Sequence, residues 1–284
     1  MTKPLWDNEG PKPTFPARGI LARLYGAIRG LLLVLTLFGG LALMLVMRLI
    51  EAPLFGKKRP VTPHFVQFIC KVSCWLLGLR IHPQGTLETR ANALVANHSS
   101  WLDIFVLNQC GTGYFVSKSE VSKWMGIGWL AQATGTIFVE RRRSQAQEHR
   151  DLLAKRLQLG HRLIFFPEGT STDGLQVLPF KSTLFDALRT DQAMPMVVQP
   201  VSIYYRPPDN LDPRAYGWWG HMSFAPHLFD LLCTIRRGDV FLQFHEPIKS
   251  TPEMDRKQLA KACGNAVTEG HSALMAAHQP MARR

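Results

Sequence analysis

The sequence predicts an α/β fold, with a mostly parallel central sheet flanked by helices and an N-terminal membrane-associated helical segment. Short runs rich in β-branched and aromatic residues recur from residue 80 onward, and helical patterns separate several of them. This alternation is typical of a parallel sheet covered by helices. Near the N-terminus, the eighteen residues Gly30–Met47 carry no charge. Three predicted strands run directly into polar clusters, which an α/β fold places at the carboxyl edge of its sheet.

The N-terminal region divides into a flexible tail, residues 1–17, and membrane-anchoring helices, residues 18–79. The tail contains four prolines and little apolar periodicity. Gly30–Met47 is close to the lower length limit for a bilayer span, and Val61–Ile81 is an amphipathic second stretch. Basic residues flank the first run on both sides, so they set no orientation. We expect a hairpin or shallow helix pair on the cytoplasmic leaflet; a single span and a buried core helix are the alternatives.

Residues 80–284 form one α/β domain in this prediction. The predicted strands are Leu79–His82, Ala93–Ala96, Tyr114–Val116, Thr136–Val139, Leu163–Phe166, Met196–Tyr205 and Val240–Phe244. The predicted helices are Trp101–Leu107, Trp124–Ala133, Ala146–Leu159, Leu184–Leu188, Leu228–Ile235 and a C-terminal helix from about Pro252 to Ala277.

A histidine stands five residues before an aspartate in the turn between the strand Ala93–Ala96 and the following helix. If Ser100 is the N-cap and Asp103 the third helical residue, the pattern is a capping box, and the carboxylate leans back toward His98. An ionised aspartate on one ring nitrogen fixes the tautomer and leaves the other nitrogen free as a base. In the alternative interpretation, Asp103 only caps the helix and His98 is an ordinary loop residue.

Further polar residues follow the other predicted strands. Glu168, Gly169 and Thr170 come after Pro167 at the end of one strand, where Gly169 allows a sharp turn and close approach of a ligand. Arg141 stands directly at the end of another strand and is a candidate for binding an anion. Lys118 and Lys181 are candidates for binding an acidic group, and a solvated surface position is the alternative for both.

Composition narrows the class of partner. The chain is 46% hydrophobic and 19% charged with a net charge of +12, so it is neither disordered nor polytopic, and an anionic partner is expected. The first sixty residues carry half of that charge, nine Lys/Arg against three Asp/Glu, around the apolar run. This favours a membrane surface over nucleic acid. The five cysteines are scattered, and although Cys70 and Cys74 are one helical turn apart, nothing in the sequence requires a metal.

Four blocks, in order and spacing, resemble the glycerolipid (PlsC-like, lysophosphatidic acid) acyltransferase family over roughly residues 80 to 210. They are Asn97-His98 with Asp103, Gly135 to Arg141, Phe166 to Thr170, and Met194 to Val201. The resemblance implies the glycerolipid acyltransferase fold for residues 80–284, and transfer of an acyl group from acyl-CoA or acyl-carrier protein to a hydroxyl, without cofactor or covalent acyl-enzyme. His98 would be the base and Asp103 its orienting partner. Substrate would be bound by Asn97, Lys118, Arg141, Glu168, Gly169, Thr170 and Lys181.

One departure bears on the acceptor. Members that use lysophosphatidate commonly carry Arg where this chain has Ser171, and loss of a guanidinium removes a strong phosphate clamp. The stretch from Pro167 to Ser182 resembles the bacterial lyso-ornithine lipid acyltransferase branch, whose acceptor is a zwitterionic aminolipid. Glu168 or Asp173 would then meet the ornithine ammonium, at the cytoplasmic face of the inner membrane.

Three other functions stay open at this point. The first is synthesis of phosphatidic acid, with Arg141, Lys118 and Lys181 binding the phosphate of 1-acylglycerol-3-phosphate. The second is a thioesterase-like hydrolase that uses water as the acceptor. The third is a membrane-anchored basic binding protein in which the His98–Asp103 pair is incidental.

Overall fold

The computed structural model describes residues 6, 11–16, 18–140, 146–188 and 195–279. Within them the helices are α1 Ile20–Phe55, α2 Thr62–Leu76, α3 Asp103–Cys110, α4 Ile127–Thr134, α5 Ala146–Gln158, α6 Phe224–Leu232 and α7 Arg256–His278. The strands are β1 Leu79–Gln84, β2 Ala93–Ala96, β3 Tyr114–Lys118, β4 Ile137–Val139, β5 Leu163–Phe165, β6 Met196–Arg206, β7 Gly238–Phe244 and β8 Ile248–Ser250. Two 3₁₀ turns, Ser119–Lys123 and Leu184–Leu188, complete the described elements.

The strands form one mixed sheet in the order β1-β7-β6-β2-β5-β3-β4, with β8 paired to β6. Every pairing from β6 through β2, β5 and β3 to β4 is parallel, whereas β6 pairs antiparallel with β7 and β8. The predicted mostly parallel sheet flanked by helices is therefore confirmed. Strand β8 was not predicted, because its three residues, Ile248-Lys249-Ser250, contain no apolar run of the kind that marks β4 and β5.

Both faces of the sheet are covered. All four residues of β2 are buried: Leu94 and Ala96 point to one apolar cluster and Ala93 and Val95 to the other. The first cluster contains side chains of α2, α3 and α6, and the second contains side chains of α5 and α7. A strand covered on both faces reads as a continuous apolar run, which is why β2 was visible in the sequence.

Helix α1 is twice as long as the apolar run that predicted it, at 36 residues. It packs antiparallel on α2: Glu51 accepts hydrogen bonds from Thr62, Gly40 lies against Ile69, and the Arg29 guanidinium donates to the carbonyl of Leu76. One narrow stripe of α1 is buried against the rest of the protein, at Gly26, Arg29, Leu33, Met44 and Glu51. The predicted helix pair is thus present in the fold.

Among the described residues, α1 is the helix long and apolar enough to cross a membrane. Only 17% of its most apolar 18-residue window is buried, which excludes a buried core helix. The stripe that contacts the folded domain runs from Gly26 to Glu51. The helix is therefore attached to the domain along this length, and whether it crosses the bilayer or rests in one leaflet stays a prediction.

Several predicted boundaries were wrong. The predicted helix Trp124–Ala133 begins only at Ile127, as α4, because Gly126 adopts a positive φ of 75°. Helix α6 begins at Phe224, four residues earlier than predicted. Helix α7 begins at Arg256, where the Asp255 side chain accepts hydrogen bonds from two backbone amides and completes a capping box.

The predicted division into tail, anchor and domain remains a prediction. In the described part of the tail, Phe15 packs against the core, and the Trp6 ring lies 6.2 Å from the ring of Trp219. Cys74, Leu76 and Leu77 at the end of the anchor region belong to the same apolar cluster as the sheet.

Candidate active site

The polar clusters after the parallel strands share one edge of the sheet. Strands β2, β5, β3 and β4 are parallel neighbours in that order, so the residues that follow them form a row. His98 follows β2, Glu168 follows β5 and Lys118 ends β3. Neighbouring strands are about 4.8 Å apart. Lys118 ends β3, which is separated by β5 from the strand that precedes His98. Arg141, predicted at the end of this row, lies outside the described residues.

The predicted pair is formed at this edge. His98 Nδ1 lies 2.8 Å from Asp103 Oδ2, and the imidazole stacks on the Phe166 ring at 4.1 Å between ring centroids and 9° between planes. The histidine side chain is 22% exposed, whereas the aspartate is fully buried. With Nδ1–H donating to the carboxylate, the neutral ring has its unprotonated Nε2 as the available base.

The Asp103 carboxylate receives four hydrogen bonds. Besides His98, the backbone amides of Ser99 and Ser100 donate to Oδ2 at 2.8 and 3.0 Å, and the Tyr205 hydroxyl donates to Oδ1 at 2.6 Å. These donors replace water around a buried carboxylate. Tyr205 was not predicted as a site residue. Its signal in the sequence was a tyrosine inside a long apolar strand, since a buried hydroxyl needs a partner.

The predicted capping box at Ser100 was wrong. Helix α3 begins at Asp103, and the preceding residue, Leu102, has helical backbone angles. The Ser100 amide does donate to the Asp103 side chain, but the Ser100 hydroxyl is buried without a hydrogen-bond partner. Asp103 therefore belongs to the first turn as predicted, and its carboxylate organises the turn before the helix.

Asn97 makes two structural hydrogen bonds, and the predicted substrate contact of this residue stays a prediction. Its side-chain amide is fully buried, donates from Nδ2 to the Ile203 carbonyl at 2.9 Å, and accepts the Ile203 amide at Oδ1 at 2.8 Å. Both ends of the side chain are thus bonded to β6. Asn97 fixes the end of β2 against β6 and so sets the position of the residue that follows it.

Glu168 also supports the catalytic turn from within the protein. Its Oε1 accepts the His98 amide at 2.7 Å and its Oε2 accepts the Leu178 amide at 2.8 Å, while Lys181 Nζ donates to the Glu168 carbonyl. Burial raises the pKa of the Glu168 carboxyl to about 8. A headgroup contact by this carboxylate would have to displace backbone partners, so direct substrate binding by Glu168 and Lys181 stays a prediction.

The turn after Glu168 contacts the backbone of His98. Gly169 has a positive φ of 71° and donates its amide to the Phe166 carbonyl at 3.0 Å, as the predicted sharp turn requires. Thr170 is half-buried. Thr172 donates its amide to the His98 carbonyl at 2.9 Å. The substrate contacts predicted for Gly169 and Thr170 are not tested by this geometry.

The remaining candidates stand as follows. Asp173 is buried, and one of its carboxylate oxygens accepts the Leu175 amide at 3.1 Å. Lys118 is half-buried at the end of β3. In the part of the chain that the structure describes, no group of three or more His, Cys, Asp or Glu side chains is arranged to hold a metal ion.

Comparison with known proteins agrees with this geometry. A family model described as Acyltransferase matches residues 79–204. Lyso-ornithine lipid O-acyltransferase of Rhodobacter capsulatus is 47% identical over 277 residues, covering 95% of this chain and 98% of that protein. The protein of the same name from Brucella abortus is 38% identical over 75% of this chain and 82% of its own length.

A solved structure shows the same fold. The 1-acyl-sn-glycerophosphate acyltransferase PlsC from Thermotoga maritima aligns with a TM-score of 0.63 at 24% identity, over 92% of this chain and 98% of that one. Fold and sequence together define an acyltransferase enzyme that acts on lysolipids. The chain belongs to the PlsC-like glycerolipid acyltransferase family, in the branch that contains the bacterial lyso-ornithine lipid O-acyltransferases. The resemblance inferred from the four sequence blocks is thereby confirmed.

Proposed function

We propose that the protein transfers a fatty acyl group from an acyl thioester to the free hydroxyl of lyso-ornithine lipid, with His98 as general base. The observation that carries the proposal is the partly exposed His98 ring, which is bonded through Nδ1 to a fully buried Asp103 and stacked on Phe166. Three further donors to Asp103 and one aromatic face hold this pair in place, so Nε2 has a fixed position from which to accept a proton.

The chemical step follows from that arrangement. Nε2 of His98 takes the proton of the acceptor hydroxyl while the oxygen attacks the thioester carbonyl carbon. The tetrahedral intermediate then expels the thiolate. The imidazolium gives its proton to this thiolate, so an ester and a free thiol are formed. The Asp103 carboxylate stabilises the transient imidazolium. A general base of this kind contributes about 10²- to 10⁴-fold to the rate.

The acceptor assignment is supported by sequence relatives and by one position after the Pro167–Thr170 turn. Relatives that match the chain over two thirds or more of their length are named lyso-ornithine lipid O-acyltransferases. Ser171, in place of the arginine of lysophosphatidate-using members, is buried and carries no charge. An acceptor without a phosphomonoester fits such a site better than lysophosphatidate does.

The donor in this proposal is acyl-CoA or acyl-carrier protein, and no cofactor takes part because the thioester is already an activated acyl group. We place the reaction at the cytoplasmic face of the inner membrane. Large apolar side chains of α1 are exposed along the face opposite its buried stripe, among them Leu31, Leu35, Leu45 and Leu49. Lipid would cover this face, with the helix pair resting in one leaflet.

The test is a lipid-product assay with two acceptors and two donors. Purified protein in mixed micelles is offered lyso-ornithine lipid or 1-acylglycerol-3-phosphate, each with acyl-carrier protein or CoA thioesters. We expect ornithine lipid to be the preferred product. Preference for 1-acylglycerol-3-phosphate would overturn the acceptor assignment and favour phosphatidic acid synthesis, for which Lys118 and Lys181 at the same sheet edge are the phosphate ligands to test. Free fatty acid as the main product would favour a hydrolase.

A further inference from the structure

A second apolar surface lies on the catalytic domain itself, in the turn before α4 and the first turn of that helix. Trp124, Met125 and Trp129 are 42%, 88% and 59% exposed. We call residues 124–129, with these three side chains, the 124–129 segment. Large aromatic and methionine side chains exposed together in a stretch this short mark a surface that meets something apolar.

The 124–129 segment is continuous with the apolar face of α1. A Cβ placed on Gly126 would lie 3.3 Å from Cζ of Phe38, in the middle of the uncharged run of α1. Phe38 is itself 37% exposed. The segment is therefore not an isolated patch, since whatever covers the exposed face of α1 also reaches residues 124–129.

The backbone of the segment is held tightly. The Gly128 amide donates to the Trp124 carbonyl at 2.7 Å, and the Ile127 amide donates to the Met125 carbonyl at 2.9 Å. Gly128 lies so close to the Ser122 carbonyl that a Cβ there would be 2.2 Å from the oxygen. Trp124 and Met125 are consequently presented to the outside by a fixed turn.

The segment also leads to the catalytic turn. The Trp124 ring packs edge-on against the Trp218 ring, with centroids 6.1 Å apart and planes at 78°. The Trp218 amide donates to the carbonyl of Ser99 at 2.9 Å, beside His98. Residues 124–129 therefore lie between the exposed face of α1 and the site, and Trp218 links them to the turn that holds His98.

We propose that the 124–129 segment is a second membrane contact, which inserts into the bilayer interface at the entrance of the active site and delivers bilayer-embedded lysolipid to His98. Trp side chains prefer the membrane–water interface because they combine an apolar ring with a polar N–H. Lys123, exposed directly before the segment, suits anionic lipid headgroups. Continuity with α1 favours lipid over a protein partner. The inference rests on the proposed function for its acceptor, but the contact with the bilayer is measurable on its own.

The kinetic test compares activity on a lysolipid embedded in vesicles with activity on a water-soluble analogue that has the same headgroup. The double variant M125S/W129S is assayed with long-chain lysolipid in vesicles and with a short-chain analogue that is monomeric in water. We expect kcat/KM to fall about ten-fold or more on vesicles, because two apolar anchors are lost, and to stay within about two-fold on the monomeric acceptor. The control is L152S on α5, where Leu152 is also exposed, at 40%; it should change neither value. Equal loss on both acceptors, or none on vesicles, would overturn the proposal.

A fluorescence measurement tests whether the 124–129 segment contacts the bilayer, independently of enzyme activity. If the wild type acylates neither acceptor, the proposed function fails but this test still applies. Wild-type protein and W129F are bound to vesicles that contain lipids with brominated acyl chains. We expect bromine to quench the Trp129 contribution, so the quenched fraction of the emission is smaller in W129F. An unchanged quenched fraction would show that Trp129 does not reach the acyl chains. A changed oligomeric state of M125S/W129S in detergent would make the segment a contact between copies and would also contradict the proposal.

Discussion

At the scale of single residues, the site is built around a buried negative charge. Asp103 is fully inaccessible to solvent, and a carboxylate in that position is tolerated only because donors replace the water it has lost. Two of these donors come from the turn itself and one from Tyr205 on β6. The catalytic geometry therefore depends on a strand that is far from His98 in sequence but adjacent in the sheet.

Tyr205 is accordingly expected to be a positioning residue. In Tyr205→Phe, Asp103 Oδ1 loses its hydroxyl donor, and we expect a loss of about 1–3 kcal/mol in the free energy of unfolding. We also expect kcat to fall about ten-fold while the KM for the acceptor is unchanged, because the carboxylate that orients His98 is held less firmly. The control is Tyr204→Phe on the other face of β6, where Tyr204 is also buried. Unchanged kcat in Tyr205→Phe would contradict this role.

Glu168 makes stability depend on pH. Burial raises the pKa of its carboxyl from 4.5 to about 8, so between these values the folded state retains a proton that the unfolded state has released. This contribution to stability is complete below pH 4.5 and is lost as the pH rises to about 8. From pH 5 to pH 8, we expect the free energy of unfolding of the wild type to fall by a few kcal/mol more than that of Glu168→Gln, on the order implied by such a shift. Urea denaturation in detergent measures this, and parallel pH profiles would refute it.

At the scale of elements, α1 is joined to the catalytic domain by a buried cation. The Arg29 guanidinium donates to the carbonyls of Leu76, Leu232 and Thr234 at 2.6, 2.6 and 2.9 Å. Leu76 and Leu232 are the last residues of α2 and α6, where helix carbonyls have no partner within the helix, and Thr234 lies just beyond α6. The Arg29 side chain thus supplies hydrogen-bond donors to the ends of two helices and holds α1 against both.

Replacing this arginine should loosen the attachment of α1. In Arg29→Met the three carbonyls lose their donor, and we expect the free energy of unfolding to fall by about 3 kcal/mol or more. The matched control is Arg23→Met, because Arg23 is exposed on the same helix, and its change should stay within about 0.5 kcal/mol. Thermal denaturation and limited proteolysis between α1 and α2 measure both. Equal melting temperatures for the two variants would contradict the account.

The bounds of the strands and helices show which parts of the fold can be predicted from the sequence alone. Strands covered on both faces, such as β2 and β5, were predicted within one residue because their apolar runs end at a sharp change in polarity. The first residues of α6 and α7 were not, because the first turn of α6 packs against Trp101 from a distant part of the chain and α7 begins at the Asp255 cap. In the site, the His98–Asp103 pair is local in sequence and was predictable. The Tyr205 hydroxyl and the two bonds of Asn97 to Ile203 depend on which strands become neighbours, and no local pattern encodes that.

At the scale of the whole molecule, the two faces of the sheet are covered differently. The face with α2, α3 and α6 also carries α1 and the exposed side chains Ile104 and Phe229. The opposite face is covered by α5 and α7, whose outer positions are mostly charged or polar. In our proposal the first face meets lipid and the second faces water, with His98 at the sheet edge between them. Acceptor and thioester donor would then reach the base from different directions.

In the proposed mechanism, the imidazole of His98 removes the proton of the acceptor hydroxyl. The most direct measurement is the initial rate of acyl transfer to lyso-ornithine lipid by His98→Ala, beside His64→Ala, a variant of an exposed histidine on α2. We predict that kcat falls by about 10²- to 10⁴-fold in His98→Ala, with the unfolding transition and vesicle binding retained, and that His64→Ala keeps wild-type activity. A His98→Ala protein that is folded, bound to membranes and still within about two-fold of the wild-type rate would contradict the account.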